Sequence, residues 1–276
     1  MSFKIDFELL HEEKSQNGIL LFHGLTGSPF EMKKYGNFLF KNGYDVYCYS
    51  LPGHGERLNE IETVKYKDWC EFAQSKYELL RPKYERFFVS GLCLGAVLSL
   101  YLAEHNQNIT GIAALSTTLF LDGASMPWYK FLLPIGLHTV LRYYYTFPED
   151  NSLGVKNEDT RRTLAKLMSK TTVGLDNYPL SCVYELLKLS KIVRSDLEKI
   201  QVPILLIHSK NDNLTRVKSA EIVYKRVSSK IKKILEIEDS YHMVLYDNEK
   251  ERVMKTVLEF LSPLSSEENE TGLERV

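Results

Sequence analysis

Cysteine is scarce: the 276 residues hold four, Cys48, Cys70, Cys93 and Cys182. So few, so scattered, do not make a disulfide framework, and the expected state is a set of reduced thiols in a cytoplasmic protein. An excess of charge of either sign is also missing, since the formal net charge is -1. That argues against a nucleic-acid partner and against adhesion to an anionic membrane. No apolar run approaches the roughly 18 to 20 residues of a membrane span, and the first eight residues lack the apolar core of a secretory signal. Cys-x-x-Cys, His-Glu-x-x-His and a glycine-rich phosphate loop with lysine are all absent, so no metal and no cofactor is expected. The basic run over 225–233 reads as a solvated face. What is present is apolar material: 44% hydrophobic residues, enough for a substantial core.

That apolar material comes in short runs bounded by turn residues, with helical patterns between them. Strands are expected at 3–10, 18–22, 45–49, 87–90, 111–116, 204–208 and 233–237. Helices are expected at 31–42, 65–81, 93–105, 179–197, 216–227 and 249–261, the third of them amphipathic. Such alternation implies an α/β fold, a mostly parallel central sheet flanked by helices on both faces. Between 118 and 178 the alternation breaks into aromatic, basic and irregular sequence. The predicted organisation is therefore a core built from 1–117 and 179–262, an inserted helical cap at 118–178, and a polar, disordered tail at 263–276.

The chemistry concentrates in Gly91-Leu92-Cys93-Leu94-Gly95, which follows an apolar strand and opens a helix. Paired glycines relieve crowding at such a turn, so a strained backbone can hold the central side chain clear of the sheet. This is the G-x-S-x-G nucleophile elbow with a thiol at its centre. Asp212 lies just past the strand 204–208, and His242 follows the strand 233–237. Nucleophile, acid, histidine, each in a loop after a strand, is an order in which parallel strands deliver all three to one sheet edge. His242 would act as general base and then acid, Asp212 would fix its tautomer, and Cys93 would react as thiolate. Oxyanion donors are expected from the amides of Leu94, next to the nucleophile, and Leu25, in His23-Gly24-Leu25-Thr26-Gly27. His23 and His54 read as structural turn residues, and His208 as a strand-end residue. Trp128, Tyr129 and Phe131 are candidates for lining a substrate pocket, with core packing as the alternative.

The runs at 23–27, 51–55, 91–95, 207–212 and 240–245 resemble small bacterial carboxylesterases and monoacylglycerol-lipase-like members of the α/β-hydrolase superfamily. The resemblance spans roughly residues 17–262. It implies the α/β-hydrolase fold with an inserted cap, cofactor-free hydrolysis of short- to medium-chain carboxylic esters, and a small-molecule acyl ester held beneath the cap. The departure is Cys93 where the pattern has serine. Dienelactone hydrolases are similar in using Cys-His-Asp. A native thiol, an altered serine and a drifted member all remain open readings. So do thioester or lactone hydrolysis, a non-catalytic binding protein with the same fold, and action at a lipid surface through the aromatic cap. A thiolate acylates readily, so slow deacylation of a thioester is the expected bottleneck.

Overall fold

The structure, a computed structural model, describes residues 6–13, 15–54, 61–124, 139, 142, 146–148, 152–168 and 177–265. The main sheet contains β1 (Phe7–Leu9), β2 (Asn17–Phe22), β3 (Asp45–Cys48), β4 (Arg86–Leu92), β5 (Gly111–Leu115), β8 (Ile204–Ser209) and β9 (Lys232–Ile237). Their order across the sheet is β1-β3-β2-β4-β5-β8-β9. All neighbours run parallel except the edge pair β1 and β3, in which Phe7 faces Cys48. The short β6 (Thr146–Pro148) and β7 (Asn177–Pro179) pair antiparallel in a separate ribbon.

Central strands are apolar along their whole length because helices cover both faces. In β2 successive residues divide between the two cores, Leu20 and Phe22 on one side, Ile19 and Leu21 on the other. The first core is filled from α2 (Tyr66–Leu80), α3 (Leu94–His105), α5 (Leu180–Asp196) and α6 (Lys218–Arg226), with Trp69 its largest side chain. The second is filled from α1 (Phe30–Phe40) and α7 (Lys250–Leu261), through Met32, Tyr35, Val257 and Phe260. The elbow helix α3 departs from the amphipathic expectation: every residue from Leu94 to Leu100 is buried. It is wedged between the sheet and its neighbours α2 and α5, so only its last turn, at Tyr101 and His105, reaches solvent.

The segment expected to form the cap holds β6, β7 and α4 (Glu158–Met168) among the described residues. Its first residues, Thr118 and Leu119, are buried in the body of the fold together with Thr117. At the other end, Ser265 docks on the Tyr44 hydroxyl at 2.7 Å. The remainder of the expected tail, 266–276, lies outside the described residues.

Candidate active site

The loops after β2, β4, β5, β8 and β9 leave the same edge of the sheet, because parallel strands all end there. The β4 connection is a single residue. Cys93 sits between β4 and α3 with φ 57° and ψ -112°, a conformation an L-residue adopts only under strain. The flanking glycines make it sterically possible. A Cβ on Gly91 would meet the Gly95 carbonyl at 2.2 Å, and one on Gly95 would meet the Phe22 carbonyl oxygen at 2.2 Å. The Cys93 amide donates to Leu115 O at 3.0 Å, which fixes the turn to β5. The thiol is almost wholly buried. Thr118 Oγ1 lies 3.3 Å from its sulfur and 3.1 Å from Ser116 O, so the hydroxyl proton can serve the sulfur or the carbonyl. Ser190 of α5 holds Thr118 in place by donating to its carbonyl at 2.9 Å.

Asp212 and His242 are brought together. The carboxylate divides its labour: Oδ1 accepts the amides of Leu214 at 2.9 Å and Thr215 at 3.0 Å, while Oδ2 faces His242 Nδ1 at 2.8 Å. His208 Nε2 donates to Thr215 O at 3.1 Å and lies 3.3 Å from Asp212 Oδ2. The His242 backbone is anchored by Ser116 Oγ, which donates to His242 O at 2.7 Å, and Ser209 Oγ donates to Ser240 O, tying the acid's strand to the histidine loop. His242 Nε2 is buried with no hydrogen-bond partner among the described residues.

Burial alone would push the Asp212 pKa up, but His242 and His208 outweigh it and hold the carboxylate well below its usual range. Burial likewise pulls His242 down, yet the Asp212 charge, followed by that of Cys93, raises it well above 6.5. Sulfur, imidazole and carboxylate thus form one electrostatic unit, in which a proton on His242 is stabilised from both sides.

The loop after β2 lies against the elbow: a Cβ on Gly24 would stand 3.6 Å from Cys93 Cβ. Two histidines shape it. His23 Nε2 accepts the Leu51 amide at 3.1 Å, so its proton must sit on Nδ1, which donates to Gly24 O at 2.9 Å. His54 Nε2 accepts the Thr26 amide at 3.2 Å and its Nδ1 donates to Pro52 O at 3.1 Å. Burial, with His54 close by, lowers the His23 pKa well below 6.5, and burial brings His54 down to about 4. Both rings stay neutral, as their acceptor roles require. Thr26 is held at φ 62°, and Glu31 accepts the Gly24 amide at 3.0 Å. Leu25 follows Gly24 in this loop, and Leu94 opens α3 directly after Cys93.

Trp128, Tyr129 and Phe131 lie outside the described residues. Sequence reasoning missed Thr118 and the second role of His208. Thr118 belongs to no recognisable motif, and His208, inside the 207–212 run and four residues before Asp212, reads there only as a strand end.

Residues 13–250 match the family described as serine aminopeptidase, S33. The chain is 27% identical to the thermostable monoacylglycerol lipase of Bacillus sp. (strain H-257) over 255 residues, 92% of this chain and 94% of the lipase. It is 26% identical to a Bacillus subtilis (strain 168) carboxylesterase over 247 residues, 89% and 92% of the two chains. A solved structure of a metagenome-derived lipolytic enzyme superposes with a TM-score of 0.80 at 23% identity, covering 94% of this chain and 97% of the other. That likeness shows the α/β-hydrolase fold. With the family matched over most of its length, the chain belongs to the serine aminopeptidase S33 family of hydrolases and is a carboxylesterase-like enzyme of the α/β-hydrolase fold.

Proposed function

We propose that the enzyme hydrolyses short- to medium-chain carboxylic esters, monoacylglycerols among them, through a covalent acyl-enzyme on Cys93. The observation that carries this reading is the buried Nε2 of His242, without a hydrogen-bond partner among the described residues, whose sister nitrogen is held by Asp212 at 2.8 Å. Since Nδ1 must donate to the carboxylate, Nε2 is the basic nitrogen, and it is free to take the thiol proton. The sulfur then attacks the ester carbonyl, and the amides of Leu25 and Leu94 receive the oxyanion. Collapse breaks the ester C–O bond, and the leaving alkoxide takes the proton back from His242 Nε2. A water that gives its proton to the same nitrogen attacks the thioester. When that second tetrahedral adduct collapses, the thiolate leaves and regains the proton, and the carboxylic acid departs.

The names of the two Bacillus relatives support an ester substrate over a thioester or lactone. We assign residues 118–178 to a cap over the core of 1–117 and 179–262. The four free, buried thiols accord with a reducing cytoplasm. Among the described residues no helix is long and apolar enough to cross a membrane.

The test is hydrolysis of a nitrophenyl ester series by the protein, by Cys93→Ala and by Cys93→Ser. Cys93→Ala should abolish turnover; an unchanged rate removes Cys93 from the mechanism. Faster turnover in Cys93→Ser would identify a site shaped for a hydroxyl, and slower turnover a native thiol enzyme.

A further inference from the structure

Five residues beyond His242 lies a carboxylate that the reaction does not use. Asp247 is fully buried. Its Oδ2 accepts the amides of Tyr241 and Lys156, each at 2.7 Å, and its Oδ1 accepts those of Asn157 at 2.9 Å and Asn248 at 3.0 Å. Four N–H donors saturate the acceptor capacity of a carboxylate, and a neutral amide, with a single oxygen, cannot hold them all. Two of the donors sit on either side of the histidine loop: Tyr241 is the neighbour of His242, and Asn248 follows the aspartate. The other two come from about ninety residues earlier, in the segment assigned to the cap.

That segment touches the catalytic loops elsewhere too, with Lys156 Nζ 2.7 Å from Asp239 Oδ1 and Asn157 Nδ2 donating to Asn248 Oδ1 at 2.7 Å. Gly154 O accepts the Met243 amide at 2.8 Å, so the residues on both sides of His242 are bonded into the same system. Gly154 itself has φ +65°, and a Cβ on it would come within 3.3 Å of His242 Cβ and 3.1 Å of Met243 Cγ. Ser152 Oγ accepts from Asn213 Nδ2 at 2.9 Å, beside the acid. Residues 152–157 therefore form a brace behind the imidazole, and Asp247 is the pin through it.

We propose that Asp247 is a positioning residue: its buried carboxylate bolts the returning chain of the insertion to the His242 loop, so that the seating of the insertion sets the alignment of the imidazole towards Cys93. This rests on the triad proposed above. A displaced imidazole impairs proton transfer and leaves ester binding alone, so kcat should fall while KM holds.

The experiment compares the full-length protein with Asp247→Asn and Gly154→Ala. Each is assayed for kcat and KM on a nitrophenyl ester and for the pH profile of Cys93 alkylation by iodoacetamide, which reads the thiol–imidazole pair without turnover. The expected result is a kcat loss of about tenfold to a hundredfold, as sub-ångström to ångström misplacement produces, with KM within about twofold and a displaced alkylation profile. A folded Asp247→Asn that melts at lower temperature yet keeps the parent kcat and profile overturns the proposal, because the carboxylate would then serve stability alone. If Asp247→Asn shows no cooperative melting, Gly154→Ala decides, since it keeps the carboxylate and crowds the brace directly. Failure of the triad looks different: full activity in Cys93→Ala, or parent alkylation with the pH profile of a free thiol.

Discussion

Replacing Asp212 by asparagine exchanges one oxygen for an NH2 group, and the surrounding bonds dictate how the new side chain must lie. Oδ1 is committed to two backbone donors, Leu214 N and Thr215 N. An amide nitrogen placed there would set N–H against N–H twice, so the oxygen of the introduced amide takes that position. The NH2 group is then forced into the place of Oδ2, 2.8 Å from His242 Nδ1. A donor facing Nδ1 requires an acceptor there, which moves the ring proton to Nε2. The imidazole can no longer accept from the thiol, and its cation loses the charge that stabilised it. In the serine-protease triad the same exchange costs about 10⁴ in kcat, roughly 5 to 6 kcal/mol of barrier. Asp212→Asn should therefore lower kcat on a nitrophenyl ester by about 10⁴ while KM changes little. Unchanged circular dichroism and a cooperative melt would show that the fold survives. Loss of less than about tenfold would refute the reasoning, because it would mean that His242 does not depend on Asp212 for its tautomer.

Three further outcomes follow from the same geometry. Thr118→Val removes the hydroxyl that stands 3.3 Å from the Cys93 sulfur; kcat and the rate of Cys93 alkylation should both fall by about twofold to tenfold, the value of one hydrogen bond, and no change in either would remove Thr118 from the site. Glu104, buried on α3 with both oxygens unpartnered among the described residues, has its pKa pushed up to about 9 by burial first and by Asp196 next, against an unperturbed 4.5. The folded state thus binds this proton more tightly than the unfolded chain, so stability is full below 4.5 and drains away as pH rises towards 9. Glu104→Gln should stabilise the protein by about 3 to 4 kcal/mol more at about pH 8 than at about pH 5 in urea unfolding; an equal effect at both would contradict the buried, protonated carboxyl. Asp212 has the opposite sign: its folded pKa is depressed, so the stability it contributes is present above the ordinary carboxylate range and disappears on acidification. Acid unfolding of Asp212→Asn should accordingly be less steep than that of the parent, and an identical acid limb would show that the aspartate is not held ionised.

Much of this is legible in the residues because it is written locally. The elbow needs two glycines and a central side chain within five residues, and the strands before Asp212 and His242 announce themselves by apolar runs. Parallel topology then does the long-range work, delivering loops more than a hundred residues apart to one edge. Strand and helix ends move by at most two residues, as fraying makes them do, except in the first strand, expected at 3–10 and found at Phe7–Leu9. The parts that do not show share one physical cause: they exist only once distant segments meet. Thr118 reads as the first residue of an insertion, yet its hydroxyl lies under the sulfur. His208 reads as the end of a strand, yet its ring shares Asp212 with His242. Asp247 belongs to no motif singled out in the sequence, and its bonds to Lys156 and Asn157 form only when segments some ninety residues apart meet. The helix after the elbow reads as amphipathic, because a pattern with a few polar residues does not reveal that both its faces are covered.

The most direct test of the Cys93 nucleophile is acid-quenched intact mass spectrometry after brief mixing with nitrophenyl acetate, followed by peptide mapping. The expected result is a single acetyl group on the peptide containing Cys93, formed in a burst with nitrophenol and retained longer in a variant lacking His242. Hydrolysis without any adduct in either protein, or an acetyl group mapped to another residue, would contradict it.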